Sequence, residues 1–251
     1  MHGPAAGPLR LLRGFSEPKR DGAANEDRWA SSEDGTIAAL CDGASVSYDS
    51  GTWAQLLAER FVADPCVSRC WVEGAVAAYG AGHDRDSLSW ARQAAFDRGS
   101  SATLLGVASS PDGVTARILA VGDSLAAILD GDRVVSTWRY ERVDQFDSRP
   151  DSLSTSRREN GWLTDTVLDE SCLPVTVTEF AAPAILLMTD ALGCWFLENK
   201  DRAAGATLLG LSTAEAFRGF VARERAEGHL RRDDTTLLVL GRDHGQLPAD
   251  H

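Results

Sequence analysis

Carboxylates collect in four short segments of this chain, each at the edge of a strand-like run: Asn25-Glu26-Asp27-Arg28, Cys41-Asp42-Gly43-Ala44-Ser45, Thr189-Asp190-Ala191-Leu192-Gly193 and Arg232-Asp233-Asp234-Thr235-Thr236. A fifth, Val121-Gly122-Asp123-Ser124, lies between the second and the third. Aspartates at strand ends can meet in space although they are scattered in sequence. Carboxylates that meet repel one another unless hard divalent cations sit among them, and an oxygen-only donor set suits Mg²⁺ or Mn²⁺. The chemistry open to such a centre is two-metal hydrolysis.

The elements around these segments follow from pattern. Thr36–Cys41 is a small apolar run that enters a turn at Asp42-Gly43, which reads as a buried strand. Trp53, Leu56, Leu57 and Phe61 recur at helical spacing, so a helix packs on that strand. Residues 70–97 read as two helices around a break at Gly80–Asp86, completing one helical layer. Strands are expected at Ala102–Ala108, Val114–Val121 and Leu125–Leu129, with a hairpin from Asp130-Gly131-Asp132 into Val134-Val135. From about 138 to 172 the pattern dissolves into a loop long enough to be functional; its Trp138 and Trp162 read first as core and loop anchors, with lining a substrate groove as the alternative. Order returns at Val175–Phe180 and at Ala184–Thr189 before Asp190. Ser212-Thr213-Ala214-Glu215 reads as a capping box opening a helix with Phe217, Phe220 and Val221 inward. Thr235–Leu240 is the last strand, and the ten residues after it read as a tail. Early helices, central strands, then a helix and a strand predict an α+β layered sandwich. With no repeats and no linker composition, a single domain is expected over the 251 residues, its core at about 15–241.

Composition narrows the function. A net charge of −12 and the lack of a basic stripe argue against nucleic-acid binding, which depends on Lys and Arg neutralising phosphates. Five cysteines without a CxxC pair or a completing His cluster predict buried free thiols in a reducing compartment. The N-terminus offers no stretch suited to a signal sequence, and no segment approaches the roughly 18 apolar residues of a membrane span. A cytoplasmic monomer that contacts no membrane is expected.

In order, the segments Asn25-Glu26-Asp27, Asp42-Gly43, Gly99-Ser100-Ser101-Ala102-Thr103, Val121-Gly122-Asp123-Ser124, Thr189-Asp190-Ala191-Leu192 and Asp233-Asp234-Thr235-Thr236 resemble the motifs of the metal-dependent PP2C-type serine/threonine phosphatases, above all their compact bacterial members. The resemblance runs over roughly residues 15–241. It implies a four-layer α-β-β-α sandwich of two antiparallel sheets flanked by helices, with two or three Mg²⁺ or Mn²⁺ ions at one end. By position, Asp42 would bridge two ions with the Gly43 carbonyl beside it, and Asp190 and Asp233 would hold the first ion. Glu26 or Asp27 would serve the second, and Asp123 matches the aspartate of a third site. The implied reaction is hydrolysis of phosphoserine or phosphothreonine in a phosphoprotein, the substrate of a Ser/Thr kinase, by attack of a metal-bridging water. Residues 138–172 would be the variable cap.

The match is incomplete. Ser47 stands where many relatives carry a histidine that can protonate the leaving oxygen, and Leu125 stands where they carry an arginine. The phosphate-gripping arginine near the first motif is also displaced; Lys19 and Arg20 are the nearest candidates, and a solvated basic pair is the plainer reading. Plainer readings exist for the acids too: a turn at Asp42-Gly43 or at Asp123, a helix cap at Asp190, and solvated surface acids at Glu26-Asp27 and Asp233-Asp234. The alternative functions are a pseudophosphatase that binds a partner without turnover, and a hydrolase of small phosphate esters.

Overall fold

The computed structural model describes residues 7–146 and 150–242; most of the ten-residue tail and three residues (147–149) of the 138–172 stretch lie outside them. One five-stranded sheet runs in the order β1 (Arg10–Glu17), β12 (Thr235–Gly241), β11 (Pro183–Met188), β7 (Leu125–Asp130), β8 (Arg133–Trp138). The other runs β10 (Cys172–Thr176), β6 (Thr115–Val121), β5 (Leu104–Ser109), β3 (Ile37–Cys41), β2 (Arg28–Ser31). Every neighbouring pair is antiparallel.

The period-2 alternation of strand side chains sorts the core into three layers. In β3, Ala38 and Leu40 face the other sheet and meet Ile185, Leu187, Leu238 and Leu240. Ala39 and Cys41 face outward onto α1 (Ser50–Ala63), where Trp53, Leu57 and Phe61 are fully buried. α2 (Arg69–Ala81) adds Trp71, Val72, Ala75 and Tyr79 to that layer. On the opposite face, Leu125, Leu186, Met188 and Leu237 pack against α5 (Asp190–Asn199), α6 (Ala204–Gly210) and α7 (Ala214–Ala226). The architecture is the expected four-layer sandwich. Close sheet–helix approach is set at Gly106 of β5, where a Cβ would fall 2.3 Å from the Phe61 ring.

Several expectations need correction. The 138–172 stretch is not a bare loop: it holds β9 (Leu153–Ser154), paired to β4 (Ser101–Ala102), and α4 (Asp165–Glu170). Trp138 and Trp162 pack partly buried onto the hydrophobic cores, as anchors, because an indole removes more apolar area from water there. The helix from 214 is capped by Thr213, whose hydroxyl accepts the Ala216 N–H at 3.2 Å, rather than by Ser212, and with alanine at 216 the cap is single. α3 (Trp90–Arg98) buries no residue, and Trp90 is 83% exposed, so it adds little to the helical layer. The strand expected at Val175–Phe180 is β10, which starts and ends earlier. All five cysteines are free, but Cys66 and Cys70 are exposed rather than buried. β1 and β2 were not legible as strands. β1 is an edge strand with a register shift at Leu11/Arg13, which breaks the alternation that would reveal it.

Candidate active site

Register brings the acidic segments to one end of the sandwich. Arg28 pairs with Cys41, so Asp27 at the start of β2 lies beside Asp42 at the end of β3. Met188 pairs with both Leu237 and Leu125, which sets Asp190 beside the start of β12 and beside the β6–β7 turn that carries Asp123. That turn crosses from one sheet to the other, so the cluster spans both. The proximity has an electrostatic consequence: the Asp42 carboxyl is pushed well above its ordinary range by burial and then by the charges of Asp27, Asp190, Asp123 and Asp233. Burial followed by Asp190 raises Asp123 to about 7. Asp27, 4% exposed, is raised to about 8 by burial, although the Thr236 hydroxyl donates to its Oδ2 at 2.6 Å. Asp190 is raised by burial and Asp233, against a 2.6 Å hydrogen bond from the Ala191 N–H.

The buried Oδ1 of Asp27 has no hydrogen-bond partner. A buried carboxylate oxygen without a partner, amid four further carboxylates, is costly as it stands. Hard divalent cations supply the compensation, and the all-oxygen donors with the Gly43 carbonyl nearby fit Mg²⁺ or Mn²⁺. Gly43 is required here: a Cβ would sit 2.8 Å from the Glu26 carbonyl oxygen and 3.1 Å from Ser50.

The neighbouring acids do other work. Asp234 is buried and clamps the N-terminal segment, its Oδ1 accepting the Lys19 N–H and its Oδ2 the Glu26 N–H, both at 2.7 Å. Asp233, one residue earlier, is exposed. This division is set in the loop ahead of β12, where Asp234 accepts the two amides and Asp233 stays in solvent. Asp234→Ala removes two charge-assisted bonds to buried-side amides, and the expected loss is about 2–4 kcal/mol, visible as a lower melting temperature. Unchanged melting would rule the clamp out. Glu26 is tied up as well: its Oε2 accepts from Lys19 Nζ at 2.9 Å and from the Ser45 hydroxyl. Burial raises Glu26, yet those two donors outweigh it and hold the carboxyl below its ordinary value. Lys19 therefore reaches the site already paired, while Arg20 is exposed. Ser47 donates to the Ala44 carbonyl at 2.8 Å and accepts the Ser101 N–H, which locks the loop onto β4. Thr103 links the two sheets' contributions, accepting the Asp42 N–H at 2.9 Å and lying 3.0 Å from the Ser124 hydroxyl.

A cleft of about 290 Å³ opens at this end, with Asp42 and Asp123 on one side and Ala44, Val46, Pro150 and Ser152 around it. A larger hollow of about 530 Å³ runs along β8 but holds none of these carboxylates, so size alone would mislead. Sequence reasoning missed two features: the clamp by Asp234 and the presence of Arg231 beside the cluster. Proximity to Asp233 was the only signal for either.

This α-β-β-α sandwich with acids at one end is the PP2C-type phosphatase fold. Solved structures with that fold include a bacterial serine phosphatase (13% identity, TM-score 0.62, covering 93% of this chain and 98% of that one). The Mycobacterium tuberculosis serine/threonine phosphatase PstP/Ppp matches at 16% identity and a TM-score of 0.59, over 94% of this chain and 100% of that one. The Staphylococcus aureus serine/threonine phosphatase Stp1 matches at 14% identity and 0.59, over 98% and 99%. No family model and no curated protein matches the sequence. Among the described residues no helix is long and apolar enough to cross a membrane.

Proposed function

We propose that this chain is a Mg²⁺- or Mn²⁺-dependent phosphoprotein phosphatase that hydrolyses phosphoserine or phosphothreonine, opposing a Ser/Thr kinase. The observation that carries the reading is the convergence of Asp27, Asp42, Asp123, Asp190 and Asp233 from two sheets around an unpartnered buried oxygen. The solved phosphatases of the same fold support it. In this reading Asp42, the Gly43 carbonyl, Asp190, Asp233, Asp27 through its Oδ1, and Asp123 would be the residues that hold the ions. Divalent ions bound there acidify an attacking water and offset the charge of the phosphoryl group. The chain's own residues hold the ligands in place: Thr236 orients Asp27, Thr103 fixes the turn at Asp42, and Asp234 anchors the segment carrying Glu26 and Asp27. The Ser47 hydroxyl is committed within its loop, so it does not protonate the leaving oxygen. Pro150 and Ser152 border the cleft, which supports a substrate-selecting role for the 138–172 stretch in a single-domain enzyme. Free thiols throughout agree with a cytoplasmic setting.

The test is release of phosphate from a phosphothreonine peptide, free phosphoserine and p-nitrophenyl phosphate in Mn²⁺, in Mg²⁺ and in EDTA. Metal-dependent turnover that favours the peptide is expected. Folded protein without turnover in either metal would replace the enzyme by a binding module, and a preference for free phosphoserine would replace the protein substrate by a small ester.

A further inference from the structure

The cleft at the acidic end has two kinds of wall. Asp42 and Asp123 supply carboxylates, whereas Ala44, Val46, Ala102 and Pro150 supply carbon. Val46 is the unusual member. It is 97% exposed, more than any other large apolar side chain among the described residues, so it contributes almost nothing to folding. A lone exposed valine is ordinary on a protein surface. This one borders the opening above two buried aspartates, and its backbone is held firmly. The Ser47 N–H donates to the Ala44 carbonyl at 2.9 Å, closing a turn with Ser45 and Val46 at its two central positions. The Ala44 N–H donates to the Ser101 carbonyl at 2.9 Å, and the Ser47 hydroxyl accepts the Ser101 N–H at 3.1 Å, so both ends of the turn are pinned to β4. The Ser45 hydroxyl donates to Glu26 and accepts from Lys19 Nζ at 2.7 Å. Every side chain around Val46 in this turn is tied down, and Val46 alone is presented to solvent at the mouth of the cleft.

We infer that Val46, with Pro150, is a specificity-determining contact for a residue flanking the phosphoserine or phosphothreonine, and that it selects an apolar neighbour. The inference rests on the phosphatase reading and adds the class of phosphopeptide that the same cleft takes. Three features favour an apolar residue there. No lysine or arginine lines the cleft to pair with an acidic neighbour, and the carboxylates that could meet a basic one are claimed by the ions. A charged side chain pressed against Val46 and Pro150 would lose water without gaining a partner. A valine on a pinned turn is stiff at χ1, so covering it costs little side-chain entropy and its apolar area converts directly into affinity.

Val46→Ala and Val46→Asp, made in the full chain with Mn²⁺, test the contact. The substrates are phosphothreonine peptides that differ only in carrying Leu, Lys or Asp beside the phosphoresidue, with p-nitrophenyl phosphate as a substrate without a neighbour. The wild-type protein should favour the Leu peptide. Val46→Ala should raise KM for that peptide by roughly tenfold, as losing apolar atoms from a binding pocket does, with a far smaller change in kcat and on p-nitrophenyl phosphate. Val46→Asp should remove the preference for Leu and move it towards Lys. Equal turnover of the three peptides by the wild-type protein would overturn the inference. So would equal losses on the peptide and on p-nitrophenyl phosphate, since they would mark Val46 as a support of the loop. Should p-nitrophenyl phosphate and all peptides resist hydrolysis, the phosphatase reading falls, and fluorescence anisotropy with the same labelled peptides decides the contact. Tighter binding of the Leu peptide that weakens in Val46→Ala would uphold it, and equal binding by both proteins would overturn it.

Discussion

Asp42→Asn abolishes Mn²⁺-dependent phosphate release and, in EDTA, raises the melting temperature of the folded protein. The two effects have one cause. Asp42 stands at the centre of the cluster, and its carboxyl is raised by burial and by four other aspartates. Replacing it with a neutral group of the same shape removes repulsion in the metal-free state. A carboxyl raised by burial destabilises the folded state once pH exceeds its ordinary value, so the gain is expected at neutral pH as a higher melting temperature. The Asp42 N–H that donates to Thr103 is untouched, so the turn keeps its place. With metal the balance reverses. If Asp42 holds the ions as proposed, its loss should cost several kcal/mol of charge stabilisation, roughly a thousandfold or more in rate. A ligand at a hundred times its Kd stabilises a folded protein by about 2.7 kcal/mol, and this increment should shrink or vanish in the variant. Melting curves with Mn²⁺ and with EDTA, beside the phosphate-release assay, check all three statements. A lower melting temperature in EDTA would mean that Asp42 is a stabilising residue and no member of a repelling cluster.

Metal-free protein should lose stability as pH rises from about 4 to about 8. The sign follows from proton counting. Asp123 is raised to about 7 and Asp27 to about 8, against 3.8 for an ordinary aspartate. Between those values the unfolded chain ionises these groups while the folded chain keeps its protons. The folded state therefore binds more protons, and its stability falls with pH across that window, levelling off above it. Carboxyls held low, such as Glu26 and Glu224, act in the opposite sense but only below their ordinary value of 4.5. Mn²⁺ binds the deprotonated form, so its stabilising effect should grow over the same window and cancel the decline. Melting temperatures from pH 5 to 8 in EDTA and in Mn²⁺ provide the check. A flat or rising EDTA profile would show that the aspartates do not share one site.

Much of the fold was legible because its local patterns agree with its tertiary environment. β3, β5, β6, β7, β11 and β12 are buried small-residue and aliphatic runs closed by Gly or Asp turns, and α1 carries an unbroken apolar stripe. Where environment overrides pattern, reading from sequence failed. β1 mixes Arg, Leu and Gly along an edge, and the 138–172 stretch draws its order from partners elsewhere: Leu153 against Ala102, and Trp162 against the α1–α2 core.

The sequence alone determined the kinds of ligand and their order: aspartates at strand ends, a glycine after Asp42 where no Cβ fits, and a serine where a histidine could have stood. Tertiary structure decided which of those groups are available. Asp233 and Asp234 are adjacent and chemically identical, yet the loop ahead of β12 buries one under two backbone amides and leaves the other exposed. Lys19 and Arg20 are adjacent cations near the cluster, yet one is half-buried and paired with Glu26 and the other is exposed. Composition and spacing are local properties, whereas a free oxygen or a free guanidinium depends on what the register of two sheets places beside it.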